Sequence, residues 1–203
     1  WDQSFGEYGS YGEVQVPTAA KGAEASNPGA IFSFVVKSGG NDFHGSFFGD
    51  WQDGSFQSNN VNDRLLQRGF NPSGNKFTRY NDLTAELGGP IIRDKFWFYS
   101  SYGYTYAGQF VPGFISEKSG EPVVFHTTLH SPTVKLTYQL TNAMKLETMG
   151  QFNRKHAPYR TGDQFTPLEA TQNQLSKGGV GPTLKWTYII NPTMTTDLGM
   201  SRS

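Results

Sequence analysis

From Phe43 onward the chain alternates apolar and polar residues, stretch after stretch, and this period of two limits what it can fold into. In the first stretch Phe43, Gly45, Phe47, Gly49 and Trp51 share one side. His44, Ser46 and Asp50 share the other, with Phe48 as the exception. A period of two predicts a strand with two unlike faces. The pattern returns with Leu83, Ala85, Leu87, Gly89 and Ile91 set against Asp82, Thr84, Glu86, Gly88 and Pro90. Phe96, Phe98, Tyr102, Tyr104 and Tyr106 share the next face. Val134, Leu136, Tyr138 and Leu140 alternate with Thr133, Lys135, Thr137 and Gln139. Met144, Leu146, Thr148, Gly150 and Phe152 oppose Lys145, Glu147, Gln151 and Asn153. Leu184, Trp186, Tyr188 and Ile190 alternate with Thr183, Lys185 and Thr187, and a final run carries Leu198 and Met200. Helical periodicity is weak throughout; Asn62 to Gln67 offers a single turn inside a loop.

The connections are unequal. Those at 93–95, 141–143 and 191–193 are tight, while those near 53–81, 108–130 and 155–179 are long, polar and rich in Gly, Pro and Asn. Long structureless loops are unusual in a compact domain. Short turns at one end of a sheet and long loops at the other are the pattern of transmembrane barrels. The apolar faces are aliphatic in the middle and aromatic toward the ends. The opposite faces carry Asp50, Glu86, Lys135, Lys145, Glu147, Lys185 and Asp197. Charges this regular cannot line a dry core. They face water, either inside a barrel or outside a soluble sandwich, and periodicity alone leaves both open. Loop asymmetry and aromatic enrichment favour the barrel.

Upstream of Phe43 the pattern differs. Residues 1–12 read as loop, Glu13 to Val16 as a short strand stopped by Pro17, and Lys21 to Gly29 as turn-like. Ala30 to Val36 is apolar on both faces, as in a strand buried inside a domain. Ser38 to Asp42 is a turn cluster.

Composition agrees with a β-rich wall. Of 203 residues 35% are hydrophobic and 15% aromatic, with a mean hydropathy of −0.53. No stretch approaches the ~18 consecutive apolar residues of a membrane helix. An averaged hydropathy would class the chain as soluble, but a strand with one lipid-facing side is only half apolar. The formal net charge is zero, with no basic patch interleaved with aromatics, so a nucleic-acid partner is not expected. Cysteine is absent, which excludes disulfides and thiol nucleophiles. The chain opens on Trp1 without an initiator Met or signal peptide and ends inside an apparent strand. It is therefore expected to be a piece of a longer polypeptide.

The candidate chemistry is sparse. His126 and His130 are four apart, but the Thr- and Pro-containing surroundings are strand or loop, so helical metal-ligand spacing does not apply. His44 and His156 are isolated. Asn59, Asn60, Asn62 and Asp63 supply oxygens without the spacing of a calcium loop and read as a polar surface loop. Asp50, Asp53 and Glu86 could pair for acid–base work, but lining a lumen is the simpler reading. A nucleophile elbow and a phosphate loop are both missing, so no enzyme, metal or cofactor is expected. Trp51, Phe96, Trp97, Phe98, Tyr102, Tyr104, Tyr106, Trp186 and Tyr188 could stack on sugars, but interface girdles account for most of them. Trp97 and Tyr99, of opposite parity to Phe96 and Phe98, should point inward. Phe56, Phe70, Phe110, Phe114 and Phe165 lie in loops, where some could touch a substrate, a partner or lipid.

Specific stretches carry a resemblance. VVKSGGNDFHGSFF at 35–48, with GEVQV at 12–16 and the segment from Ala23-Glu24 to Gly29, resembles the plug-to-barrel junction of TonB-dependent outer-membrane receptors of the Oar-like type. That type often carries a carboxypeptidase-regulatory-like domain ahead of the plug. LGGPIIRDKFWFY at 87–99, VKLTYQLTNAMKL at 134–146 and the end from Thr187 to Ser203 extend the likeness over nearly the whole chain. The resemblance implies an all-β architecture in the bacterial outer membrane. Residues 1–42 would be the C-terminal part of a plug domain, and 43–203 about seven N-terminal strands of a transmembrane antiparallel β-barrel. Such transporters have 22 strands and a plugged lumen. The implied function is uptake of a scarce ligand (a siderophore, oligosaccharide or peptide) using energy from the inner-membrane proton gradient. The implied partners are a TonB-type protein, whose contact segment is not found in this chain, and outer-membrane lipid. The substrate-binding residues are left unassigned. The rival readings are a structural or adhesive surface barrel without transport, and a soluble carbohydrate-binding β-sandwich.

Overall fold

The computed structural model describes residues 8–15, 33–59, 61–69 and 76–202. The turn-like segment from Lys21 to Gly29 lies outside them, as do Asn60 and Phe70. A short 3-10 turn, Tyr8–Ser10, leads into β1 (Tyr11–Gln15), which pairs antiparallel with β2 (Ser33–Val36). Seven strands then form one sheet: β3 (His44–Asp53), β4 (Phe77–Ile92), β5 (Phe96–Ile115), β6 (Pro122–Thr141), β7 (Met144–Arg160), β8 (Gln172–Asn191) and β9 (Met194–Ser201). Every strand pairs antiparallel with the next in sequence. The expected turn of helix is α1 (Asp63–Leu66), capped by the Asn62 side chain accepting from the Leu65 N–H.

The sheet is inside out relative to a soluble protein. Among the described residues the buried hydrophobic set is Val36, Tyr99, Phe114 and Ala157. The buried polar set is larger: Ser10, Thr84, Ser101, Ser131, Thr133, Thr137, Gln151 and Asn153. All of these polar groups except Ser10 lie on one face, as the register from Glu86 through Ser101 and Thr133 to Gln151 shows. The other face exposes Phe47 at 74%, Val134 at 48%, Leu184 at 41% and Met200 at 72%. A sandwich would bury that apolar face under a second sheet, and no such sheet exists among the described residues. Inner-face Ser101 Oγ, Thr133 Oγ1 and Gln151 Nε2 have no hydrogen-bond partner among the described residues. Polar atoms left bare in hydrocarbon cost several kcal/mol, so this face must look at water or protein.

The aromatic residues mark the height of the apolar band. Near the tight turns Phe96 packs edge-on against Tyr138, Trp186 stacks on Tyr188, and Lys95 lies over Tyr138. Toward the loops Tyr106 stacks on His126, Tyr104 packs on His130, and Trp51 meets Phe56 edge-on. From Phe96 to Tyr104 or Tyr106 along β5 is about 27–34 Å, or ~21–26 Å of height at a strand tilt near 40°. That equals the ~25 Å apolar band of outer-membrane barrels.

Four expectations need correction. The connection near 108–130 is mostly strand: β5 runs to Ile115 and β6 starts at Pro122. The one near 155–179 shrinks likewise, because β7 ends at Arg160 and β8 starts at Gln172. Backbone pairing needs no apolar side chain, so the ladder continues in water above the girdle with a polar sequence. In the described part of β2, burial on both faces is not found, since Phe34 and Val35 are exposed and only Val36 is buried. The β1–β2 pair turns one side to the wall, and no described residue covers the other. Finally, β1 begins at Tyr11, within the stretch read as loop.

If the apolar face meets lipid, Val134→Arg, at mid-band, should lower the stability of the full-length protein in phospholipid vesicles by about 2–4 kcal/mol. Urea titration of vesicle-inserted protein measures this. An equal loss from an Arg in the exposed loop at Lys118 would contradict the assignment.

Candidate functional site

The chain between β2 and β3 crosses the inner face of the wall, and its residues are fastened there one by one. Lys37, directly after β2, places Nζ 2.8 and 2.9 Å from the two carboxylate oxygens of Glu86 on β4. Glu86 also accepts from Ser46 Oγ at 2.7 Å and from the Tyr99 hydroxyl at 2.6 Å. Sheet register supplies two of these donors: Ser46 stands opposite Glu86 on β3, and Tyr99 points to the same face of β5, two residues from Ser101, which is opposite Glu86 there. The Glu86 side chain is 10% exposed and that of Lys37 35%. Charge-assisted bonds are each worth ~1.5–3 kcal/mol net, and the part-exposed lysine puts its own at the low end.

The next residues explain the glycines. A Cβ on Gly39 would stand 2.1 Å from the Phe98 carbonyl oxygen and 3.0 Å from that of Gly89. Only a residue without a side chain lets the strand backbone approach so closely. Gly88 is the counterpart on the wall, since a Cβ there would stand 3.4 Å from the Gly39 Cα and 2.8 Å from His44 Nε2. Asn41 then clamps the tight turn between β4 and β5. Its Oδ1 accepts from the Asp94 N–H at 2.9 Å and from Trp97 Nε1 at 2.7 Å, while its Nδ2 donates to the Asp94 carboxylate. Asp94 takes the left-handed conformation with φ 60°, which Asp and Asn tolerate better than other side chains.

Two further groups extend the seam. Lys135 Nζ donates to the Val36 carbonyl at 3.3 Å and pairs with Glu147 at 3.5 Å, and Glu147 pairs with Lys145 at 3.1 Å. The Lys37 N–H donates to the Ser10 carbonyl at 2.9 Å, tying β2 to the turn before β1. Lys185 pairs with Asp197 at 3.4 Å farther round the sheet. Of the inward charges read from the sequence, Glu86, Lys135, Lys145 and Glu147 thus lie along this seam, and Lys185 and Asp197 form a separate pair.

Other candidates fall elsewhere. Asp50 sits opposite Asp82 and bonds Gln52, four rows along the ladder from Glu86, so those two carboxylates do not meet. Asp53 caps a 3-10 turn through the Ser55 N–H. Asn59 closes its own turn onto the Val61 N–H, and Asn62 caps α1, so these two side-chain oxygens serve the backbone of their own loop. His126, His130 and His156 lie on the outer face among tyrosines, and His156 bonds Asn173. His44 Nδ1 is 3.1 Å from the Asp42 carbonyl. No group of three metal-ligating side chains occurs among the described residues. Trp97 and Tyr99 point inward as parity required.

The loop aromatics divide. Phe56 joins the girdle through Trp51, and Phe110 lies within β5 opposite Val124. Phe114 is buried against Tyr159, under the turn at Gly162, which removes it from the surface contacts considered for it. Phe165 remains 83% exposed. In that same outer loop the Thr166 hydroxyl and the Phe165 N–H hold the Asp163 carboxyl below the usual carboxylate range. The turn is therefore intact at neutral pH and loosens only as acid protonates Asp163 below that range.

The site has the form of a reversible fastening. Its bonds are ionic or hydrogen bonds between a strap, residues 36–41, and a wall. Asn41→Ala removes the acceptor for the Asp94 N–H, so exchange of that amide should accelerate about tenfold. Glu86→Ala should speed exchange across residues 36–41 as well, while leaving the β7–β8 amides unchanged. Hydrogen exchange with mass spectrometry reads both, and unchanged protection at 36–41 would deny the fastening role.

Comparison with known proteins points the same way. Residues 35–110 match the family model of the outer membrane beta-barrel domain. Over 75 residues the chain is 35% identical to the TonB-dependent transporter Oar of Myxococcus xanthus, covering 36% of this chain and 7% of that relative. No solved structure matches. The family match contains the strap, the β3–β4 ladder and β5 as far as Phe110. The seven-stranded sheet is part of a transmembrane antiparallel β-barrel, and its place is the bacterial outer membrane.

Proposed function

We propose that this barrel wall belongs to an energy-coupled transporter of the Oar-like, TonB-dependent type, in which residues 1–42 form the end of a plug and 43–203 the first strands of the barrel. The observation that carries this reading is the fastening of Lys37 and Asn41 to the inner face. A plug that must leave or reshape needs contacts that break without chemistry, and these do. The partial likeness to a TonB-dependent transporter supports the same reading.

In this mechanism a scarce ligand binds the outer loops and the exposed side of the plug. A periplasm-spanning TonB-type partner pulls on the plug, and the proton gradient of the inner membrane does the work. Force reaching β2 loads the Lys37–Glu86 contact and the Asn41 clamp in series. When they part, Glu86, Lys135 and Glu147 are left on a wet polar wall, where water replaces the lost partners. The charged row thus provides a hydrated path and needs no catalyst. The chain acts as a conduit, not an enzyme, and takes no cofactor.

The test uses the full-length protein in cells with an intact envelope and a labelled panel of siderophores, oligosaccharides and peptides. Accumulation of at least one class should fall to background when a protonophore collapses the gradient, and also when the TonB-type protein is deleted. Asn41→Cys with Asp94→Cys should block accumulation under oxidising conditions, leave surface binding intact, and recover on reduction. Surface binding with no gradient-dependent accumulation of any panel member would instead favour an adhesive or structural barrel.

A further inference from the structure

We propose that the outer surface of the wall binds the phosphate of an outer-leaflet lipid headgroup, through Arg154 and Lys177 with His130 beside them. The register aligns Tyr104, His130, Arg154 and Lys177 in one row across β5 to β8. This row lies on the apolar, outward face, because His130 packs on Tyr102 and Tyr104 and Phe152 is exposed two residues from Arg154.

Arg154 and Lys177 are direct cross-strand neighbours. Like charges so placed repel and destabilise the sheet locally. Neither has an ion pair among the described residues. The inner-face cations behave differently: Lys37, Lys135, Lys145 and Lys185 each meet a carboxylate. Two opposed cations without a counter-charge, on a face that otherwise meets lipid, form a site for an external anion.

The local backbone makes room for one. Pro132 has no N–H, and the β6–β7 ladder lapses between the His130–Arg154 and Thr133–Gln151 pairs. On β8 Gly178 and Gly179 stand opposite Asn153 and Phe152 and add no side chain, and the register shifts just beyond them, between Val180 and Thr183. The result is a cavity of about 440 Å³ lined by Tyr102, His130, Pro132, Phe152, Arg154 and Lys177. Arginine grips a phosphate with two parallel N–H bonds, and lysine adds a point charge. Tyr102 and Phe152 supply the apolar surface that an acyl chain would follow downward.

Height selects the source of the phosphate. His130 lies eight residues up β6 from Tyr138 in the lower girdle, or ~21 Å of height. That is the upper edge of the apolar band, on the side of the longer loops, which in such barrels is extracellular. Headgroups of the outer leaflet lie at this level.

The test uses full-length protein in non-ionic detergent, with diphosphorylated lipid A as probe and native mass spectrometry as readout. Binding should weaken about tenfold with fully dephosphorylated lipid A and with Arg154→Gln/Lys177→Gln, and persist in the charge-preserving Arg154→Lys/Lys177→Arg. Lys118→Gln, in the exposed β5–β6 loop, should leave binding unchanged, and millimolar inorganic phosphate should not displace the lipid. Equal binding of the phosphorylated and dephosphorylated lipids by the wild type overturns the proposal, whether or not the variants fold. So do displacement by inorganic phosphate and undiminished binding by a folded double-Gln variant.

Discussion

Hydrocarbon offers a backbone no hydrogen-bond partner, and this architecture follows from that fact. Each N–H and C=O in the lipid-facing band must be answered by a neighbouring strand. Consecutive antiparallel pairing does this with the shortest connections, and the seven strands follow one another without a crossover. The pairing also frees the side chains from their usual sorting. Val134, Leu184 and Met200 look out, while Thr133, Gln151 and Lys135 look in. The edges at β3 and β9 cannot remain bare in a bilayer, so the sheet is a sector of a closed wall.

Once the inner face is polar, it can hold something removable. The strap from Val36 to Asn41 shows how little sequence this takes. One lysine reaches a carboxylate, one glycine lets the backbones touch, and one asparagine grips a turn. Glu86 gathers its donors because Ser46 stands opposite it on β3 and Tyr99 and Lys37 reach it from the side. These contacts are strong enough to order a segment and contain no bond that force cannot break. The same inner row, through Lys135 and Glu147, ties the strap to strands farther round the sheet.

The outer face follows a different logic. Aromatic and histidine rings at two heights bracket an aliphatic band, and the strands continue above the upper ring into water. There the β5–β6 hairpin and the turn after β7 lean on one another through Phe114 and Tyr159. Phe114 is buried there, above the girdle, while Tyr159 stays 37% exposed. Phe165 stays bare beyond it, on the part of the molecule that meets the surroundings first.

Much of this was legible in the residue order. The period of two identified the strands, the parity of Trp97 and Tyr99 gave their direction, and the turns at 93–95, 141–143 and 191–193 fell where the alternation paused. These are local properties, fixed by neighbours two residues apart. Strand ends above the girdle were not legible, because a ladder in water imposes no apolar alternation, and polar Gly- and Pro-rich stretches read as loop. Nor was the choice of partners. Lys37 and Glu86 are 49 residues apart, and only the pairing of β3 with β4 and the path of the strap bring them together. The opposition of Arg154 and Lys177 depends on a register that shifts at each bulge, a quantity that belongs to two strands at once. The sequence alone determined which face of each strand was greasy and which was charged. The tertiary structure alone decided which charge met which, because cross-strand register is set by pairing over long separations.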